Sequence, residues 1–98
     1  AMQALMPFLE DHDETVRYVT VESLFQQGDE SARQALLELL INEEEESLRI
    51  KNRIIDGMIE LGWKVKGYRG SVEKVLAEDL PDYMVDGKSR LRRKKAHK

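Results

Sequence analysis

Leu5-Met6-Pro7-Phe8-Leu9-Glu10-Asp11-His12-Asp13-Glu14-Thr15-Val16-Arg17, followed by Gly28-Asp29-Glu30-Ser31-Ala32, is the stretch that decides the fold. Leu5, Phe8 and Leu9 fall on one face at helical spacing. Asp11-His12-Asp13 then breaks the pattern, and Asp13 has the short oxygen-bearing side chain that caps a helix start. Gly28 suits the left-handed residue that ends a helix, and Asp29 can cap the next one. The punctuation predicts helices over 2–10, 14–27 and 30–42. Pro7 conflicts with the first, because an interior proline costs about 3 kcal/mol, unless that helix starts near residue 4.

The pattern recurs further along. Gln3-Ala4-Leu5 returns as Gln34-Ala35-Leu36, with Leu9 on Leu40, at an offset of 31 residues. Val16-Arg17 maps onto Ile50-Lys51 at an offset of 34, which also superposes Val21 on Ile55, Leu24 on Met58, Phe25 on Ile59 and Gly28 on Gly62. A fixed period of this size holding two helices per unit is the mark of a repeat architecture. It predicts a helix over 47–62, antiparallel to the one before it, and a short one over 71–79 stopped ahead of Pro81. Val16, Leu24, Leu36, Leu40, Ile50, Ile54, Met58 and Leu61 are the expected core. The run Glu43 to Glu46 reads as a solvated approach to the positive end of a helix.

Leu-x-x-Leu, Asp-x-Asp-x-x-Val-Arg and Gly-Asp-x-x-Ala in this order resemble a HEAT repeat, in particular the short variety named after phycobilisome lyases. The resemblance covers roughly residues 5–62 well and 71–78 weakly. Thr20 and Ser23 stand where the family has smaller residues, and Glu46-Ser47-Leu48 replaces its Asp-Val-Arg in the second copy. What the resemblance implies is an all-α chain, an α-solenoid fragment of antiparallel helix pairs amounting to about two and a half HEAT-like repeats. Such repeats bury their apolar faces only against neighbours. The helical domain spans 1–79 and a basic tail spans 80–98. Tyr83 to Leu91 alternates around Asp86-Gly87 as a small hairpin would. A hairpin with nothing behind it is marginal, so an irregular tail is the expectation.

The chain has 98 residues, 41% apolar and 36% charged, which bounds it to one small domain with a thin core. Its net charge of −3 conceals three blocks: −10 over residues 1–47, zero over 48–87 and +7 over 88–98. No apolar run approaches a membrane span, so no membrane contact is expected. No secretory signal is legible, and no cysteine is present to build a disulfide or thiolate site. A cytoplasmic protein is the default expectation.

Catalysis is not expected. Attachment of a tetrapyrrole, which the family's label invites, needs a pocket and reactive groups that two and a half repeats hardly offer. His12 sits in an acidic turn and His97 in the tail; neither belongs to a metal set, and Glu43 to Glu46 lack the spacing of a calcium loop. No cofactor or metal is expected. The sequence points instead to two surfaces. Tyr18, Val21 and Phe25, with Asn52, Ile55 and Ile59 one repeat later, form an apolar ladder that would meet a protein partner, a second copy or a continuing array. The loop Gly62 to Gly70 carries Lys64, Lys66 and Arg69 with Trp63 and Tyr68, and the tail adds Lys88, Arg90, Arg92, Arg93, Lys94, Lys95 and Lys98. Together these could hold nucleic-acid phosphates weakly, with the aromatics stacking bases. The leading expectation is a non-catalytic interaction scaffold. The alternative is a weak nucleic-acid or anion binder.

Overall fold

The computed structural model describes residues 2–94, with side chains from residue 4 onward. Helix α1 (Met2–Leu5) passes directly into a 3₁₀ segment, Met6–Glu10, with Pro7 in its opening turn. The single helix expected over 2–10 is therefore split at the proline. Helix α2 (Glu14–Gln27) starts where Asp13 accepts the Thr15 amide at 2.8 Å and stops at Gly28, whose φ is +66°. A 3₁₀ turn, Glu30–Ala32, is capped by Asp29 on the Ser31 amide and leads into α3 (Arg33–Ile41). Helix α4 (Leu48–Leu61) is capped by Ser47 on the Ile50 amide at 3.2 Å and closes on Gly62, φ +68°. Helix α5 spans Arg69–Asp79. The helix ends thus fall close to where the caps and glycines put them.

The packing departs from a simple up-and-down stack. Helix α2 lies beside α4 and runs parallel to it: Glu14 pairs with Arg49 at one end, and Glu22 pairs with Arg53 further along. Helix α3 runs the other way. Arg33 at its start donates to the carbonyls of Lys64 and Lys66, just beyond the end of α4. It packs against the Met6–Glu10 segment, α4 and α5. Lys51 of α4, largely buried, reaches Asp79 of α5 at 2.9 Å.

Leu24, Leu36, Leu40, Ile50, Ile54 and Met58 are fully buried, as their spacing requires. Val16 is only half-buried and Leu61 is exposed, so the expected core overreached at both ends of its stripe. The Glu43 to Glu46 run also reads differently in place. Ser47 does the capping, and Glu45 is buried with its carboxylate gripped at 2.7 and 3.0 Å by the Arg17 guanidinium. Arg17 also donates to the carbonyls of Asp11 and His12. One guanidinium thereby ties the turn before α2 to the loop before α4.

Over its described residues, 80–94, the tail is not irregular. Strands β1 (Tyr83–Val85) and β2 (Leu91–Arg93) pair antiparallel, making the chain mostly helical with one strand pair. The hairpin survives because it has a wall behind it. Tyr83, Val85 and Leu91 are buried, and the Tyr83 hydroxyl meets Asn52 and Asp56 of α4 at 3.2 and 2.9 Å. Asp86 organises the turn by accepting the amides of Lys88 and Arg90, and Ser89 takes the positive φ of 63°. The folded unit therefore extends past residue 79, through the hairpin. Among the described residues, no helix is long and apolar enough to cross a membrane.

Candidate binding surfaces

The apolar ladder is not a surface. Val21 and Ile55 are completely buried and Phe25 is 5% exposed; Tyr18, Asn52 and Ile59 are half-buried. The reason is the parallel contact of α2 with α4, which brings the two halves of the ladder onto each other. The Phe25 ring lies over Gly57, and a β-carbon there would come within 2.6 Å of it. Trp63 closes the same contact, its ring centroid 5.7 Å from that of Phe25. On the other side, the hairpin lies against α4, the Tyr83 hydroxyl meeting Asn52 and Asp56, and an opening remains between Ile59 and Leu91. Arg49 stacks over Tyr18 at 4.0 Å, covering the outer edge.

The two basic segments do come together. Lys64 forms an antiparallel bridge with Arg90, and the Val65 amide donates to the Ser89 carbonyl at 2.8 Å. The loop after α4 thus meets the turn just before β2 through a single bridge. Strand alternation then sorts the side chains. Val65, Val85 and Leu91 are buried, while Lys64, Lys66, Met84, Arg92 and Lys94 are exposed; Arg90 is half-buried, its Nε enclosed and without a hydrogen-bond partner. Asp86 stands among these cations, and the hydrogen bond from Arg92 at 2.6 Å, then the amides of Arg90 and Lys88, hold that carboxyl far below the usual carboxylate range.

Arg69 and Arg93 do not join them. Arg69 is turned back onto the Asp86 carbonyl and Glu73, and Arg93 lies over the Tyr83 ring and near Asp56. Nor do the loop aromatics stack freely. Trp63 is 7% exposed, and the Tyr68 hydroxyl donates to Glu38. Partial burial, and then that carboxylate, raise the Tyr68 phenol above its ordinary value. Lys95, the last of the expected anion-binding residues, lies outside the described residues, as do Lys98 and His97.

The structure adds a surface that the sequence did not reveal. A groove of about 740 Å³ runs along α3 beside the Met6–Glu10 segment. Met6, Pro7, Leu9, Ala35 and Leu39 supply its apolar part, and Glu10, Asp11, Glu38 and Glu44 its rim. The 3₁₀ geometry that Pro7 imposes shapes one wall, which periodicity alone could not show. His12 opens onto this groove as an exposed side chain. Among the described residues, no three His, Asp or Glu side chains are placed to hold a metal ion.

No protein-family model matches the chain, and neither a curated protein nor a solved structure matches it. The account of these surfaces accordingly stands on their geometry and charge.

Proposed function

We propose that the chain is a non-catalytic protein-interaction module of the helical-repeat, HEAT-like kind, and that its working surface is the acidic-rimmed groove rather than the apolar ladder. The observation that carries this reading is the groove itself, about 740 Å³ with an apolar floor and a rim of carboxylates; Arg17 also lines it but is held on Glu45, whereas Glu10 and Glu44 are exposed and have no cationic partner among the described residues. Apolar floors with charged rims favour a partner segment that is apolar at its centre and basic at its edges.

The repeat reading is supported by the order of packing. The Met6–Glu10 segment, α3 and α5 form one row, and α2 and α4 form another, parallel within the row. The first two units then contribute one segment to each layer, as in stacked helical repeats, while α5 is followed by the hairpin. Arg17 belongs to the Asp-x-Asp-x-x-Val-Arg stretch, and its contacts with Asp11, His12 and Glu45 join one unit's turn to the next unit's loop.

Chemical-shift mapping with a short synthetic peptide alternating lysine and methionine tests the reading. Shifts at Leu9, Ala35 and Leu39 are expected. Shifts absent from the groove would count against it.

A second reading rests on the bridge between Lys64 and Arg90, which merges loop and arm into one cationic face. That face suits nucleic-acid phosphates. With Trp63 buried and Tyr68 engaged, it offers charge without base stacking, so the binding would be weak and indifferent to sequence.

A further inference from the structure

We propose that copies of this chain associate head to tail, the basic outer face of one copy's hairpin seating in the acidic groove of the next. The inference rests on the groove being an interaction surface and names the partner that fits it.

The two surfaces match in apolar character as well as in charge. Met84 stands 40% exposed at the centre of the outer face, with Arg92 directly opposite it in the strand pair and Arg90 and Lys64 beyond. The groove offers the reverse arrangement, with Leu9, Ala35 and Leu39 at its centre and Glu10 and Glu44 at its rim. Among the described residues, Lys64 of the basic face and Glu10 and Glu44 of the groove rim have no ion-pair partner in their own copy. The described ion pairs of Arg69, Arg92 and Arg93 go to Glu73, Asp86 and Asp56, and none joins a cation of the hairpin or its adjoining loop to a carboxylate of the rim.

The layout also selects the mode of association. Residues 1–47 carry −10 and residues 88–98 carry +7, so like surfaces repel and unlike ones attract. Pairings of groove with groove or of hairpin with hairpin are thereby disfavoured. The attractive pairing is heterologous, and heterologous contacts propagate into chains or close into rings. Because the contributing charges are exposed, the contact weakens as the screening length shrinks from roughly 20 Å in dilute buffer to a few ångströms near molar salt.

The test is sedimentation equilibrium of the full chain at about 25 mM and about 500 mM salt. The expected result is a mass that grows past the dimer with concentration at low salt, and association at least about tenfold weaker at high salt. Two charge-reversed variants resolve the geometry, one with Glu10→Lys and Glu44→Lys, the other with Lys64→Glu and Met84→Glu. All four positions are exposed, and circular dichroism confirms that each variant is folded. Each variant alone is expected to be monomeric. An equimolar mixture retains one good groove and one good basic face, so it should recover association, at least to the dimer. A wild-type chain that stays monomeric at low salt overturns the proposal, as does a variant that still self-associates or a mixture that remains monomeric. If the wild type is monomeric while the lysine–methionine peptide still binds the groove, the head-to-tail contact is wrong and the interaction module stands.

Discussion

Phe25 rests on the backbone of Gly57, so close that a β-carbon added to that glycine would lie 2.6 Å from three of the ring carbons. This contact sets the spacing between α2 and α4, and two opposing effects meet there. Replacing a helix-interior glycine with alanine gains up to about 1 kcal/mol in propensity. Forcing a methyl into a filled core costs about 1–3 kcal/mol, and a rigid ring pinned by Trp63 has little room to yield. Gly57→Ala should therefore destabilise the fold by about 1–2 kcal/mol in urea titration. An unchanged or raised midpoint would show that the helices can separate at no cost.

The pair Arg17–Glu45 is more deeply set than its position in an acidic run suggests. Their side chains are 17% and 2% exposed, and Glu45 is held bidentately by the Nε and Nη2 edge of the guanidinium while also accepting the Ser47 amide. Glu45→Ala should cost about 3 kcal/mol, because it strands the guanidinium beside a turn built around it. Substituting Arg17→Met together with Glu45→Leu should recover much of that loss. Equal stability of the single and double variants would contradict this account of the pair.

Acid should loosen the α2–α4 contact in a defined window. Glu14 is held at a pKa of about 2, against an ordinary 4.5, first by the hydrogen bond from Arg49 and then by that from Ser47. A depressed carboxylate contributes stability that is complete above its unfolded value and is lost as pH falls through the folded one. Stability should hold above about pH 4.5 and decline toward pH 2, and Glu14→Gln should flatten that decline. A Glu14→Gln variant with an unaltered acid profile would assign the transition to other groups.

The helix boundaries were legible because short-range chemistry sets them: Asp13, Gly28, Asp29 and Gly62 each act within one turn of chain. Burial of Leu24, Leu36, Leu40 and Met58 followed from spacing for the same reason. What spacing could not supply was the partner of each face. Val21, Phe25 and Ile55 form a stripe, but whether it meets water or a parallel helix depends on Gly57, whose missing side chain permits the approach. Tyr83 and Leu91 likewise alternate as strand residues do, yet the hairpin holds because Asn52 and Asp56 wait for the Tyr83 hydroxyl across some thirty residues of sequence. The groove was invisible for a related reason. It arises where the Pro7 segment and α3 diverge, and its rim carboxylates look like any solvated charges.

The cationic face gives a separate prediction. If about four of its cations meet phosphates, the logarithm of affinity for single-stranded DNA should fall with that of salt at a slope near −3. Substituting Lys64→Gln, Lys66→Gln and Lys94→Gln should reduce the slope by about 2 without lowering thermal stability appreciably, since all three side chains are exposed. A steep slope that survives these changes would place any phosphate contacts elsewhere.

Calorimetric titration of the full chain with the lysine–methionine peptide tests the central claim most directly, because it isolates the groove from every other surface. The account predicts binding at low salt that Glu10→Lys with Glu44→Lys abolishes. Val19→Asp, at a 53% exposed position away from the groove, should leave the binding intact. Absence of heat with the wild-type chain, or equal affinity for the charge-reversed groove, would contradict it.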